Sequence, residues 1–390
     1  MSVPNDDIRY YICIKISNLI FFFQKLIAVV ISFYKWFVFV GIWLLCVKSY
    51  GQEAKKDTTQ KGGYEELYKK AVKLIDSAKY EQALPLLKKA LKEQPNYWEA
   101  LNKSAYAKIK LLDYKDALKD LEKAEKIAPM NFESLKLKAI TLYLTDKFKE
   151  AKVAMDTAVY VLVQEKLDDH EIFYYRALLM FKGKNYKGAL ETCEAALEAK
   201  SNYIPAMQLK GEVRFAKKEY NYAIKELNEA IKLMDETNRD YKAYKLRAKS
   251  KFEAADYAGA VKDWDAYIDG MPEEEEALVA RGAAKINKND NSGAISDLDH
   301  AIKLNAKNPV SYCYRGVAKG GNKQYVEALK DLDYAIKLKF DYAGAYVNRA
   351  AIKMASKDKR GACEDLGKAD GLGDEMAVKL YDQYCKDTQR

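Results

Sequence analysis

The chain has 390 residues, 66 Lys and Arg against 57 Asp and Glu, a formal charge of +9, 49% hydrophobic residues, 2 histidines and 6 cysteines. That apolar content supplies a large core and excludes a disordered chain. So few His and Cys leave no paired metal-ligand spacing, and Lys interleaved with Glu, rather than massed, gives no nucleic-acid footprint, so no metal, cofactor or nucleic-acid partner is expected.

Residues 1–51 come first, rich in Phe, Ile, Val and Trp and punctuated by Arg9, Lys15, Lys25 and Lys35. This composition is membrane-directed. Ser49-Tyr50-Gly51 puts small residues third and first before Gln52, as a signal peptidase requires, so a signal peptide cleaved after Gly51 is expected. The alternative is an uncleaved signal anchor: the segment exceeds an ordinary signal, and Leu26 to Val47 nearly spans a bilayer apart from Lys35. Cys46 follows Leu45 rather than a small residue, which argues against lipidation. Both readings place the remainder outside the cytoplasm, in the periplasm or envelope, or anchored to the inner membrane, with membrane contact only through this segment. It carries five basic and two acidic residues, leaving about +6 for the rest. Residues 52–63 are a polar linker.

Beyond it an alanine recurs at Ala83, Ala117, Ala151, Ala189, Ala223, Ala260, Ala294, Ala328 and Ala362, mostly 34 residues apart. Three positions earlier stands Tyr80, Tyr114, Phe148, Tyr186, Tyr220, Tyr257, Asn291, Tyr325 or Lys359, and twelve earlier a small residue, from Ala71 and Ala105 to Gly316 and Ala350. Apolar residues between them fall at helical spacing, as in Leu67, Ala71 and Leu74, then Ala83, Leu87 and Ala90, predicting two amphipathic helices per unit joined by a tight turn. The units begin at Tyr64, Trp98, Phe132, His170, Ile204, Tyr241, Glu275, Pro309 and Ala343. Extra residues near Val163 to Asp169 and near Glu236 to Asp240 predict lengthened connections or an added helical turn. Pro85, inside the first unit's second helix, predicts a bent or late-starting helix. Asn291 and Lys359 replace the aromatic, so units seven and nine fit least well. Acids Glu273 to Glu276 open unit seven's first helix, where the dipole favours them; an acidic docking patch is the alternative. Acid pairs such as Asp331 and Asp333 are expected to be solvated.

A 34-residue period of helix, turn and helix, with small residues at places 8, 20 and 27 and an aromatic at place 17, resembles the tetratricopeptide repeat. The resemblance implies an all-α, right-handed superhelical solenoid of nine repeats over residues 64–372, with a capping helix and tail in 373–390. Asp374 is placed to cap that last helix, running through Ala377, Leu380, Tyr381 and Tyr384, which covers the stack's final apolar face. This tail also resembles the terminal unit of exported bacterial tetratricopeptide proteins. Cys363 begins one helix and Cys385 ends the antiparallel one after it, so their ends meet. An oxidising compartment then favours a disulfide worth ~3 kcal/mol, with two free thiols as the alternative. Cys193 takes the core place held elsewhere by Leu87 or Leu121.

His170 and His300 have no motif around them, and no phosphate loop or nucleophile elbow occurs, so no enzyme is expected. By resemblance, places 2, 5, 9 and 12 of each unit face an inner groove. Place 12 gives Tyr143, Phe181, Phe215 and Phe252 in the middle units; place 5 adds Lys136, Tyr174 and Lys245; place 9 adds Tyr106, Glu212 and Lys249. Rings with lysines suit an extended peptide, the lysines steering toward carboxylates, and these residues (Glu212 apart) are the candidate groove. Alternatively the rings only pack between helices. The lysine-asparagine clamp of tetratricopeptide cochaperones is missing, the first unit having Tyr68 and Val72. The expected function is a non-enzymatic envelope scaffold that binds a protein or peptide; a membrane-anchored assembly component and a peptide or glycan receptor are the alternatives.

Overall fold

The computed structural model describes residues 63–235 and 239–386. The segment expected to be a signal peptide or anchor, its expected cleavage site, all of the linker but Gly63, and part of the lengthened connection expected near Glu236 to Asp240 lie outside these. The repeats lie in one compact unit that begins at Leu67.

Helices form consecutive pairs: α1 (Gly63–Asp76) with α2 (Tyr80–Glu93), α3 (Trp98–Lys110) with α4 (Tyr114–Ile127), α5 (Phe132–Leu144) with α6 (Phe148–Glu165), and α7 (His170–Lys182) with α8 (Tyr186–Ala199). Next come α9 (Ile204–Ala216) with α10 (Tyr220–Lys232), α11 (Tyr241–Glu253) with α12 (Tyr257–Gly270), and α13 (Glu275–Asn287) with α14 (Asn291–Leu304). The series ends with α15 (Pro309–Gly321) and α16 (Tyr325–Leu338), α17 (Ala343–Ala355) and α18 (Lys359–Gly371), and the unpaired α19 (Glu375–Tyr384). The chain is thus an all-α helical-repeat solenoid, with no strand among the described residues.

Local chemistry sets the helix ends. Asp113, Asn185, Asp256, Asp290 and Asp358 each accept from the backbone N–H three residues on, capping the second helices. Between the two helices every unit turns through a left-handed residue, from Ala78 (φ 56) and Leu112 (φ 64) to Lys323 (φ 61) and Lys357 (φ 69), and none of these is glycine. A Cβ there crowds the following carbonyl. Lys184→Gly at such a turn (φ 58) is expected to stabilise the protein by about 0.5 kcal/mol, strain relief outweighing added unfolded-state entropy, seen as a raised urea midpoint.

Small residues permit close packing within a pair. Ala71, Ala83 and Ala90 are wholly buried around Leu87, and Leu121, Leu227, Leu298 and Leu332 repeat that position. Burying each leucine contributes about 2 kcal/mol. Where the first helix has glycine, approach is tighter: a Cβ on Gly211 or Gly316 would lie 2.7 or 2.8 Å from Cγ of Leu227 or Leu332. Cys193 occupies the leucine position as a buried free thiol, and Trp264 is a large buried variant of it.

One local expectation changes and another resolves to one of its two alternatives. Helix α2 begins at Tyr80, in step with the other second helices, so Pro85 does not delay it. Pro85 and Glu81, whose carbonyl loses its donor, are both exposed, so water can satisfy that oxygen. The residues added after unit three become an extra helical turn: α6 has 18 residues and ends at Lys166 in the left-handed region. Asn291 and Lys359 begin helices of ordinary length despite the lost aromatic.

The acid pairs are the main departure from expectation. Asp331 is only 6% exposed; Arg315 donates from Nε (2.8 Å) and Nη2 (2.6 Å) to its two oxygens, and Lys319 adds a bond of 2.7 Å. The remaining Arg315 nitrogen reaches back to Asp299 of the preceding unit at 2.7 Å. The same set joins Arg281 to Asp297 and Asp265, and Arg349 to Asp365 and Asp333. Arg247 holds Asp263 likewise and reaches Asn228. One arginine per unit therefore ties its own second helix to the preceding one, forming a ladder through units six to nine. Asp333 alone of the named pair is solvent-facing. In unit four Thr192 stands in the place of the acid and turns its hydroxyl to its own helix, and Arg176 Nε is left buried without a partner. In unit nine the place of the outward acid is taken by Gly367.

Helix α19 closes the stack. Asp374 accepts from the N–H groups of Met376 and Ala377, and Ala377 and Cys385 pack on Ala362, Leu366 and Ala369. Cys363 and Cys385 are joined as a disulfide with their Cα atoms 5.6 Å apart.

Candidate partner-binding face

First helices touch the first helix of the next unit along much of the array, as α3 does α5, α5 does α7, α7 does α9 and α9 does α11. Second helices show no comparable contact with one another. The first helices therefore crowd on the inner side of each bend and the second helices splay on the outer side.

On the inner side stand the place-12 rings, each propped by the ring that opens its own unit's second helix. Tyr143 meets Phe148 at 5.7 Å, Phe181 meets Tyr186 at 6.0 Å, Phe215 meets Tyr220 at 5.6 Å and Phe252 meets Tyr257 at 5.4 Å. All four place-12 rings are partly buried, so one side is fixed by packing and the other is open. Tyr106 packs edge-on to Tyr80 at 6.3 Å. Tyr174 lies edge-on to Tyr175 at 5.5 Å and Tyr203 at 5.6 Å, and burial pushes its phenol up to about 12. The phenol of Tyr143 is raised as well, by burial first and then by Asp146 and Glu212.

The lysines are arranged differently from the expectation of free, steering cations. Lys136 is 9% exposed and is held by Asp169 at 2.9 Å, Glu133 at 3.0 Å and Glu171 at 3.8 Å. Burial opposes its charge, but Glu133 and Asp169 outweigh burial and keep its pKa above the ordinary lysine value. Lys245 bonds Glu274 at 2.5 Å and Glu276 at 2.9 Å, and Lys249 bonds Glu276 at 2.8 Å. Lys249 and then Lys245 hold the Glu276 carboxyl down at about 2. Glu274 also accepts from the Tyr267 hydroxyl, and Glu275 accepts from Ser311. Of the acids Glu273 to Glu276, the last three are thus joined to neighbouring units, and only Glu273 is left exposed without such a bond among the described residues.

Glu212, on α9, was placed on this face by its register but given no role. Solvent reaches it, yet surrounding protein raises its carboxyl pKa, with Lys242 partly opposing. Its charge is felt by the phenols of both Tyr143 and Tyr174. No hydrogen bond or ion pair engages it among the described residues. Unlike Glu133, Glu274 and Glu276 on this face, it makes no ion pair, although Lys242 of the next unit acts on its charge.

His170 packs edge-on to Tyr203 at 4.4 Å, and His300 is exposed on α14. No group of three His, Cys, Asp or Glu is arranged to hold a metal among the described residues. A cleft of about 610 Å³ continues the inner face into unit nine, between Val347, Ala351 and Met354 and the closing helix's Leu380 and Tyr384.

Stacked helix pairs with a ring-lined inner side define a helical-repeat array. Residues 68–131 match the family model for the tetratricopeptide repeat, and the same helix pairing continues on both sides of that segment. The comparison with curated proteins returns no match. Similar solved structures include the APC/C hetero-tetramer Cut9-Hcn1, at 16% identity and TM-score 0.45, covering 78% of this chain and 59% of that one. The chain thus spans well under two thirds of that relative. Yeast Tom70 aligns at 16% identity and TM-score 0.39 over 87% of this chain and 91% of its own. A tetratricopeptide repeat protein from Parabacteroides merdae aligns at 17% identity and TM-score 0.36 over 82% and 98%. Tetratricopeptide repeats mediate contacts between proteins, and no enzyme family is matched.

Proposed function

We propose that this protein is a non-enzymatic scaffold of the bacterial cell envelope, holding an extended segment of a partner protein along the inner side of units three to six. The observation that carries this reading is the series Tyr143, Phe181, Phe215 and Phe252: four consecutive units each present a ring fixed from behind and open in front. Rings already immobilised lose little side-chain entropy on binding, and their spacing along the array suits an extended chain better than a compact ligand. Tyr106 and Tyr174 extend the aromatic surface, while Lys136, Lys245 and Lys249 shape its rim through bonds to neighbouring units. The Cys363–Cys385 bond supports placement outside a reducing compartment, in keeping with the membrane-directed leader.

A photoreactive residue in place of Phe181 or Phe215, irradiated in intact cells, is expected to yield a discrete crosslinked partner. The same residue on the outer side, at exposed Val326, is expected to yield none. Partners captured only from the outer position overturn the assignment of the binding face.

A further inference from the structure

The inner side carries an uneven charge. In units three and four, Glu133, Asp169 and Glu171 surround the single ammonium of Lys136, leaving two carboxylates in excess. In unit six the balance is even, with Lys245 and Lys249 matched by Glu274 and Glu276. Between these regions Glu212 stands without a bond, facing the same side as Tyr143, Tyr174, Phe181 and Phe215. The nearby cation, Lys242, is exposed and makes no ion pair with it. The face is therefore aromatic and acidic, although the whole chain carries +9.

We propose that this face takes a Lys- or Arg-bearing extended segment of a partner protein, with one cation seated at Glu212 among the rings of Tyr143, Tyr174 and Phe181. This rests on the binding face described above and names the chemistry of what it binds. Three physical relations support it. An aromatic ring presents a negative face to a cation, and a carboxylate beside it adds a full charge. Acidic segments meet the opposite condition: Lys136, Lys245 and Lys249 already hold carboxylates of this chain, so of the lysines named here only Lys242 is left to meet a second acid. The tyrosine hydroxyls stay neutral and can donate to the partner's backbone carbonyls.

The test uses the full chain as expressed and two fluorescent pools of extended peptides, alike except that alternate positions are fixed as Lys or Arg in one and as Glu in the other. Anisotropy is expected to show binding of the basic pool, weakened by salt, and none of the acidic pool. Glu212→Lys is expected to weaken the basic pool about tenfold or more with unchanged thermal unfolding, since this open side chain makes no bond within the fold. Glu212→Gln should fall between. Preference for the acidic pool, or basic-pool binding indifferent to Glu212→Lys, overturns the charge assignment. If Phe181→Ala nevertheless abolishes binding in that case, the face itself stands. If neither Phe181→Ala nor Phe215→Ala alters binding of any pool, both the face and the inference fall.

Discussion

Arg315→Ala is expected to destabilise the last four units by about 3 kcal/mol, near the lower end for breaking a buried ion pair. The Asp331 side chain is 9% exposed and receives two bonds from this guanidinium. Without them its charge stays buried, faced only by Lys319. The tie from unit eight to Asp299 of unit seven is lost as well. Repeat arrays need not unfold in one step, so the loss is best measured by hydrogen exchange, with faster exchange in α14 to α16 and little change in α3 to α6. Arg315→Leu combined with Asp331→Leu should recover most of the stability, because the pair is costly to break but not costly to replace. An unchanged exchange pattern in the single variant would show the ladder to be energetically idle.

The ladder also gives acid sensitivity a direction. Burial pushes the Asp365 carboxyl up, but bonds from Arg349 and Lys353 outweigh it and hold the folded pKa below the usual range. A carboxyl depressed in the fold stabilises above its unfolded pKa of about 3.9. That contribution is lost as pH falls through the folded value. Unit nine should accordingly hold through neutral pH and weaken below about pH 4.

Reduction, or Cys385→Ser, is expected to cost about 3 kcal/mol locally, from the 22-residue separation that the bond closes. Helix α19 then rests only on contacts such as Ala377 with Leu366 and Ala369, a small area for ten residues. Limited proteolysis should release the end of the chain beyond Gly373 while leaving the units before it intact. Thiol counting offers a control. Cys193 and Cys313 are buried, and burial raises the Cys193 thiol to about 12, so neither should alkylate in the folded protein. Reductant should therefore expose two reactive thiols within residues 63–386. Ready labelling of Cys363 and Cys385 beforehand in exported protein would show that the bond does not form.

Much of the fold was legible because the repeat writes its own boundaries. The residue three before each recurring alanine, aromatic in all units but seven and nine, marks the first residue of a second helix, and the small residue twelve before it marks where the first helix approaches. The ladder was not legible: an acid at Asp331 fits a solvated helix face as well as a buried one, and its arginine lies 16 residues back on another helix. The inner face was half legible. Register alone located Tyr143, Phe181, Phe215 and Phe252, but Lys136 finds its Asp169 partner 33 residues away, in the next unit. Charges on such a surface are decided between modules, so counting lysines within one module misjudges which remain available.

Gly367 bears on how long the array can be. From unit six onward the arginine of each module reaches back to an oxygen on the module before it. A further module with its own arginine would find hydrogen where that oxygen should be, with the ring of Tyr381 alongside. The arginine ladder therefore stops at unit nine, where helix α19 lies over the last pair. Gly367→Asp would put the outward acid back at that place without giving it an arginine to hold.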